Sequence, residues 1–271
     1  MKTALLLVSC CLEESRTRIL EHTVASLEEQ FKGSSRNIHA FDNASTDEKA
    51  LKLLRRSFET VIRSDRNVGY WTAISCFLDA LTSHDNRPEY VYIIESDMIH
   101  YDVSKFHECI DVLDKNADIG SVRLHQYDVA NCHLYDKDNP RSDSKRNLWQ
   151  SHTNKVTGEP VKLSRITENV WSSTFLTQLP ALNRFDALRD VFEELKTMKS
   201  FSELDFQRLY WKRYQRTAIL DGGMFHCDLN AYGSDAITGS WTDPTRLKQL
   251  GYQTTRQASI TPSDQYMVQL L

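Results

Sequence analysis

The spacing of apolar and polar positions changes several times along the chain, and each change marks an element. Residues 4–8 are an unbroken apolar run, the pattern of a central parallel strand covered by helices on both faces. Over residues 15–31, Ile19, Leu20, Val24, Leu27 and Phe31 recur at helical spacing, and Gly33 supplies a stop. The same reading predicts a strand at 37–41, a polar turn at 42–47, a helix at 48–58, a strand at 60–63 and a loop at 65–69. Tyr70, Ile74, Phe77, Leu78 and Leu81 form another helical stripe, and the β-prone run at 90–94 leads straight into Glu95-Ser96-Asp97. Strand and helix alternate, which predicts a parallel sheet built from right-handed βαβ units.

The alternation continues with a helix at 103–115 and a strand at 119–124, then breaks. Residues 131–160 are polar and turn-rich, the signature of a loop. Residues 131–165 carry seven Lys or Arg against four Asp or Glu, a slight positive excess expected of a solvated, variable segment. A mixed stretch at 165–179, helices at 186–198 and 203–214, a strand at 217–220 and an irregular tail complete the reading. One α/β domain in two halves, 1–125 and 126–271, accommodates all of it.

Composition sets limits on function. With 40% hydrophobic and 26% charged residues the chain is a folding one, and a net charge of -4 gives no global pull toward nucleic acid or an anionic membrane. The six cysteines lack paired spacing, so neither a zinc site nor a disulfide framework is signalled, and reduced thiols are expected. The first apolar run is too short for a signal peptide and no run is long enough to span a bilayer, which predicts a cytoplasmic protein.

In open α/β sheets ligands bind beyond the carboxyl ends of the strands, so polar residues just after strands carry most weight. Asp42-Asn43-Ala44-Ser45-Thr46-Asp47, Arg66-Asn67-Val68-Gly69 and Glu95-Ser96-Asp97 all sit there. Two carboxylates one residue apart at a strand end can present oxygens to one hard divalent cation, which suits a diphosphate leaving group. The 42–47 stretch also reads as a turn that caps the next helix, and Asn67 with Gly69 as a turn that lets a ligand approach the backbone.

In this order the three groups, preceded by the polar segment that Ser9 opens, resemble the family 2-like branch of the GT-A glycosyltransferases. That branch shows a D-(D/N)-x-S-x-D turn, an N-x-G loop opening a helix and a D-x-D-type metal motif. The resemblance covers about the first hundred residues. It implies a GT-A-like, Rossmann-like α/β fold: a mostly parallel sheet flanked by helices, with a mixed, acceptor-side second half. It further implies that Asp42 or Asn43 contacts a nucleobase, that Ser9, Asp47, Asn67, Gly69, Glu95 and Ser96 border the nucleotide, and that Asp97 holds Mn²⁺ or Mg²⁺. The triplet begins with Glu where the family has Asp, so Glu95 reaches either the ion, its water or the ribose. Similar enzymes place a catalytic carboxylate at the start of a later helix and a histidine after the following strand, which points to Asp205 or Glu203 as general base and His226 as a metal or phosphate ligand. The implied reaction is transfer from a nucleotide diphosphate sugar, a UDP-sugar foremost, to an acceptor that the sequence does not name, nucleic acid included; inversion is the default if Asp205 or Glu203 is the base, and retention stays open without one.

Two rivals stay open. A nucleotidyltransferase shares the sheet, although residues 9–15 lack the glycines of its usual phosphate loop; a non-catalytic nucleotide-sugar or carbohydrate-binding protein keeps the fold without the chemistry. Trp149, Trp171 and Trp241 are candidates for stacking on a sugar or base. Clustered acids repel when no cation is present, so Asp97→Asn is expected to leave the fold intact or slightly steadier.

Overall fold

A strand with no polar face must be covered on both sides, and β1 (Thr3–Ser9) is: Leu5 and Leu7 enter one core, Ala4, Leu6 and Val8 the other. These contacts come from a computed structural model that describes residues 3–31, 37–83, 87–100, 102, 104–125, 153–174, 181–226 and 258–271, with the backbone alone at Ser15, His125 and 221–226. Helices α1 (Glu14–Gln30), α2 (Glu48–Ser57) and α4 (Phe106–Lys115) lay their apolar stripes on the Leu5 side. Helices α3 (Tyr70–Thr82), α5 (Phe185–Lys196) and α6 (Glu203–Arg213) cover the Leu6 side. The result is a helix–sheet–helix sandwich.

The remaining strands are β2 (Ile38–Asp42), β3 (Thr60–Ser64), β4 (Tyr90–Glu95), β5 (Met98–His100), β6 (Ile119–His125), β7 (Leu163–Arg165), β8 (Val170–Ser173), β9 (Ala181–Arg184), β10 (Arg216–His226) and β11 (Val268–Leu270). Among the described residues the sheet runs β11-β3-β2-β1-β4-β9-β6-β10-β8-β7, with β5 paired to β10. β3, β2, β1 and β4 are mutually parallel, as the alternation predicts. β9 lies antiparallel between β4 and β6, and β10 runs parallel to β6.

Three features depart from the sequence pattern. β9 is short and half polar: Asn183 Nδ2 donates to Ala181 O at 2.8 Å and Arg184 Nε to Ile119 O at 2.8 Å, so no alternating apolar signal marks it. β10 continues past residue 220 to His226 because a register shift between Leu220 and Gly223 redirects it onto β5. The supposedly irregular tail holds an edge strand, β11, which pairs with β3, while Ala258 bridges Phe201 and Thr261 N donates to Thr72 Oγ1 at 3.0 Å. Most of the segment expected to be a solvated loop, residues 131–152, lies outside the described residues, as do Trp149 and Trp241.

Aromatic contacts fix the helices that matter most for function. Trp71 on α3 packs against Phe192 of α5, Phe201 and Phe206 of α6 at centroid distances of 5.8, 5.3 and 5.2 Å. The start of α6 is thereby held against the start of α3. At its other end α6 lies so close to β6 that a Cβ on Gly120 would stand 2.7 Å from Tyr210 and 2.6 Å from Tyr214.

His100 supplies a pH-dependent element of stability. Its ring is buried beside Tyr92, whose hydroxyl is 2.7 Å from Nε2, and burial pushes its pKa down to about 3. The unfolded chain binds this proton near pH 6.5 and the folded one does not, so the contribution is complete above that pH and is lost on acidification toward pH 3. Urea titrations between pH 7 and pH 4 should show stability falling for wild type and falling less for His100→Gln; equal slopes would remove His100 from the acid response.

Candidate active site

The carboxyl ends of the parallel strands are tied together by side-chain amides. Asn43, just beyond β2, donates its main-chain N–H to Ser9 O at 2.8 Å and its Nδ2 to Asn67 Oδ1 at 2.9 Å, while its Oδ1 accepts from Val68 N at 2.7 Å. Asn67 Oδ1 also accepts from Gly69 N at 2.9 Å, and Gly69 opens α3 with φ 84°, a left-handed conformation that favours glycine. Asn67 Nδ2 reaches Cys10 Sγ at 3.6 Å, joining the loop after β1 to the loop after β3. Ser45 Oγ accepts from Cys11 N at 2.8 Å, so the loops after β1 and β2 are cross-linked as well.

Asp42, the last residue of β2, is fully buried. Its Oδ1 accepts from Ser45 N at 3.2 Å and its Oδ2 lies 3.3 Å from Arg63 Nε. Burial raises its pKa, with the Ser45 hydrogen bonds and the Arg63 charge opposing the rise. Asp47 is the N-cap of α2, accepting from Lys49 N at 2.9 Å through Oδ1 and from Thr17 Oγ1 at 2.6 Å through Oδ2; the second bond holds α1 to α2 and keeps the carboxyl below the usual range.

A separate group of charges gathers where β4 ends. Glu95 is its last residue and accepts a hydrogen bond from the hydroxyl of Tyr70, the first residue of α3. Burial, then the charges of Glu95, Asp97 and Glu203, raise that phenol well above its ordinary pKa. Glu203 begins α6 and accepts from Gln207 Nε2 at 3.0 Å. Arg123 of β6 faces the same acids: burial lowers its pKa to about 10 while Glu203 and Glu95 work against the fall, so it remains a cation at neutral pH. On the β1 side, Arg16 Nη1 stands 3.3 Å from Asp97 Oδ2, both side chains largely buried at 13% and 16% exposure.

No family model and no curated protein sequence matches the chain. Solved structures do. The crystal structure of S. aureus TarS 1-349 aligns with a TM-score of 0.51 at 15% identity, covering 83% of this chain and 60% of that one. The same TarS fragment in complex with UDP-GlcNAc aligns with a TM-score of 0.54 at 13% identity, covering 92% of this chain and 64% of that one. A further S. aureus TarS structure gives 0.51 at 16% identity, with 84% and 37% covered. This chain has a GT-A-like fold. It spans less than two thirds of the length of these TarS chains.

Within that fold the predicted site residues fall into distinct places. Glu95 and Glu203 act electrostatically on both Tyr70 and Arg123, and Asp97 acts on Tyr70. Ser9, Asn43, Asn67 and Gly69 form the amide-linked strand ends, with Asp42 beneath them. Ser96 is buried, and its carbonyl accepts from Thr23 Oγ1 at 2.9 Å, which seats α1 on the end of β4. Asp205 turns aside: its Oδ2 accepts from Ser202 N and Ser202 Oγ at 2.8 Å each and its Oδ1 from Arg208 Nη1 at 3.3 Å, a capping box that holds its carboxyl below the usual range. His226 is placed by backbone register alone, opposite Met98, the residue that follows Asp97 in the chain; its side chain lies outside the described residues. Trp171 is covered by Arg165, whose guanidinium sits 4.8 Å from the ring centroid.

Arg16, Arg63, Arg123 and the hydroxyl of Tyr70 were not singled out by pattern, since each lies inside a helix or strand that periodicity explains without them. Their signal is the acids themselves: buried carboxylates require cations or donors. The pairing sets an attraction against the acid–acid repulsion expected at Asp97. Asp97→Asn should fold but lose about 1–3 kcal/mol, because Arg16 then keeps its charge in a largely buried place. Urea unfolding without metal measures this; an unchanged or raised midpoint would show that acid–acid repulsion outweighs the pair.

Proposed function

We propose that this protein is a metal-assisted, inverting glycosyltransferase that moves a sugar from a UDP-sugar to an acceptor hydroxyl. The observation that carries the reading is the hydrogen bond of Tyr70 to Glu95 at the carboxyl end of the parallel sheet, with Glu203 acting on both Tyr70 and Arg123 and Asp97 acting on Tyr70. The fold shared with TarS, which was crystallised with UDP-GlcNAc, supports a nucleotide-sugar donor.

Among the described residues no three His, Cys, Asp or Glu side chains cluster closely enough to hold a metal by themselves. Glu95 and Asp97 nevertheless suit Mn²⁺ or Mg²⁺, hard cations that bind through one or two carboxylates and complete their shell with waters and diphosphate oxygens. His226, whose backbone lies opposite Met98, is kept as a candidate further ligand. Such an ion, when bound, supplies positive charge against the departing diphosphate.

The chain's own groups divide the remaining work. Glu203 is favoured over Asp205 as general base because Asp205 spends its oxygens on the capping box and Arg208, whereas Glu203 faces the cluster. Its carboxylate takes the proton of the acceptor hydroxyl as that oxygen attacks the anomeric carbon, and the bond to the diphosphate breaks with its electrons leaving on UDP. Arg123 brings a buried positive charge to face Glu203 and Glu95, and the phenol of Tyr70, protonated throughout, fixes Glu95 by a hydrogen bond. Asn43, Asn67 and Gly69 form the rigid floor over which the nucleoside would lie.

Release of UDP from a panel of UDP-sugars, with and without Mn²⁺, tests the reading; absence of both UDP binding and UDP release would sink it. Glu203→Gln should lower the rate on the order of 10²–10⁴-fold and leave UDP affinity nearly unchanged. Asp205→Asn should cost about 1 kcal/mol of stability and keep most of the rate. If the Asp205 variant loses the rate instead, the two acids exchange roles.

A further inference from the structure

The pair between Arg16 and Asp97 has a consequence for donor binding. Arg16 lies in the first turn of α1, the helix that follows β1, and its Nη1 stands 3.3 Å from Oδ2 of the carboxylate assigned to the metal. The guanidinium therefore holds one oxygen of Asp97 and puts a positive charge beside the carboxylate at which a divalent ion would bind. A guanidinium cannot be deprotonated and cannot ligate a metal, so it and a cation compete for Asp97. A diphosphate changes the balance. It brings anionic oxygens to the same place, and a planar guanidinium binds such oxygens at least as well as it binds a carboxylate.

Resting on the glycosyltransferase reading, we propose that Arg16 is a donor-diphosphate-binding residue that holds Asp97 in the free protein and transfers to the diphosphate when a cation takes Asp97. The exchange couples the two ligands. Cation alone has to work against a charge-assisted pair, and nucleotide alone has to draw Arg16 away from Asp97, whereas together each ligand supplies a new partner to one member of the pair. Binding of each therefore strengthens binding of the other by the same factor. The side-chain exposures of 13% and 16% make the exchange consequential, because neither charge can turn to bulk water as a substitute.

The test uses Mn²⁺ alone, UDP alone and UDP with Mn²⁺, measured by Mn²⁺ electron paramagnetic resonance and by calorimetry, on wild type, Arg16→Gln and Arg16→Lys, with circular dichroism confirming that each is folded. Arg16→Gln should bind Mn²⁺ alone more tightly, because its competitor is gone, and bind UDP in the presence of Mn²⁺ about tenfold more weakly, because one charge-assisted contact is lost. Arg16→Lys, which keeps the charge but not the fork, should fall between. The opposite signs are decisive. A role limited to orienting Asp97 would weaken Mn²⁺ binding in the Gln variant, and that result, or two unchanged affinities, overturns the exchange while leaving the glycosyltransferase reading standing. If wild type binds UDP no better with Mn²⁺ than without it, the metal-assisted reading fails and takes this proposal with it.

Discussion

The side chain of Asn43 is the constraint on which the carboxyl end of the parallel strands depends. Parallel strands are held to one another along their length by the main chain, but their ends open into loops with nothing to align them. Asn43 supplies the alignment, because its N–H reaches Ser9 beyond β1 while its amide grips Asn67 and Val68 beyond β3. An aspartate there would keep the acceptor and lose the donor to Asn67 Oδ1, which already serves Gly69. The amide, donor on one side and acceptor on the other, is the chemistry that the position requires. The turn at 42–47 thus serves the loop architecture whatever ligand lies over it: Asp47 caps a helix, as the sequence suggests, and Asn43 ties the strand ends together.

Charge imposes the second constraint. Gathering carboxylates at the ends of buried strands costs desolvation that isolated acids would relieve by taking up protons. Here arginines meet that cost from elements of the sheet and its flanking helices: Arg63 from β3 at Asp42, Arg16 from α1 at Asp97, Arg123 from β6 facing Glu95 and Glu203. The distribution differs from one pair to the next. Asp42 is wholly buried although its arginine is 26% exposed, whereas Asp97 and Arg16 are both largely buried, at 16% and 13%.

The first half of the fold was legible because its information is local. Residues that alternate into two cores must lie in a strand, and stripes such as Ile19 to Phe31 must lie on a covered helix, whatever the rest of the chain does. β9 was not legible, because Asn183 and Arg184 spend their side chains on carbonyls of their own and neighbouring elements, and the strand exists only because β4 and β6 leave a gap of its width. β11 was hidden for the same reason. Its order comes from β3, and Met267, Val268 and Leu270 are largely exposed, so no buried face writes itself into the pattern. The acids of the site could be found from sequence; the arginines and the tyrosine that set their charges could not, since those contacts join residues far apart in the chain.

Glu203 and Asp205 show how far a motif can go without geometry. Both acids lie in the first turn of a helix, and a sequence gives no reason to prefer one. Successive helical residues, however, point about 100° apart, so residues separated by two face nearly opposite directions and cannot share a task. The third helical position is the one whose side chain can reach back to the N-cap, and Asp205 occupies it behind Ser202, closing a reciprocal pair of bonds. Glu203, at the first position, is left to the other side, where Gln207 one turn later supports it. The packing of Trp71 against Phe201 and Phe206 then decides what that other side faces, because it presses the start of α6 against the start of α3, where Tyr70 meets Glu95. Helix-end chemistry thus sets the division of labour between the two acids, and a hydrophobic contact several residues away turns one of them toward the proposed reaction.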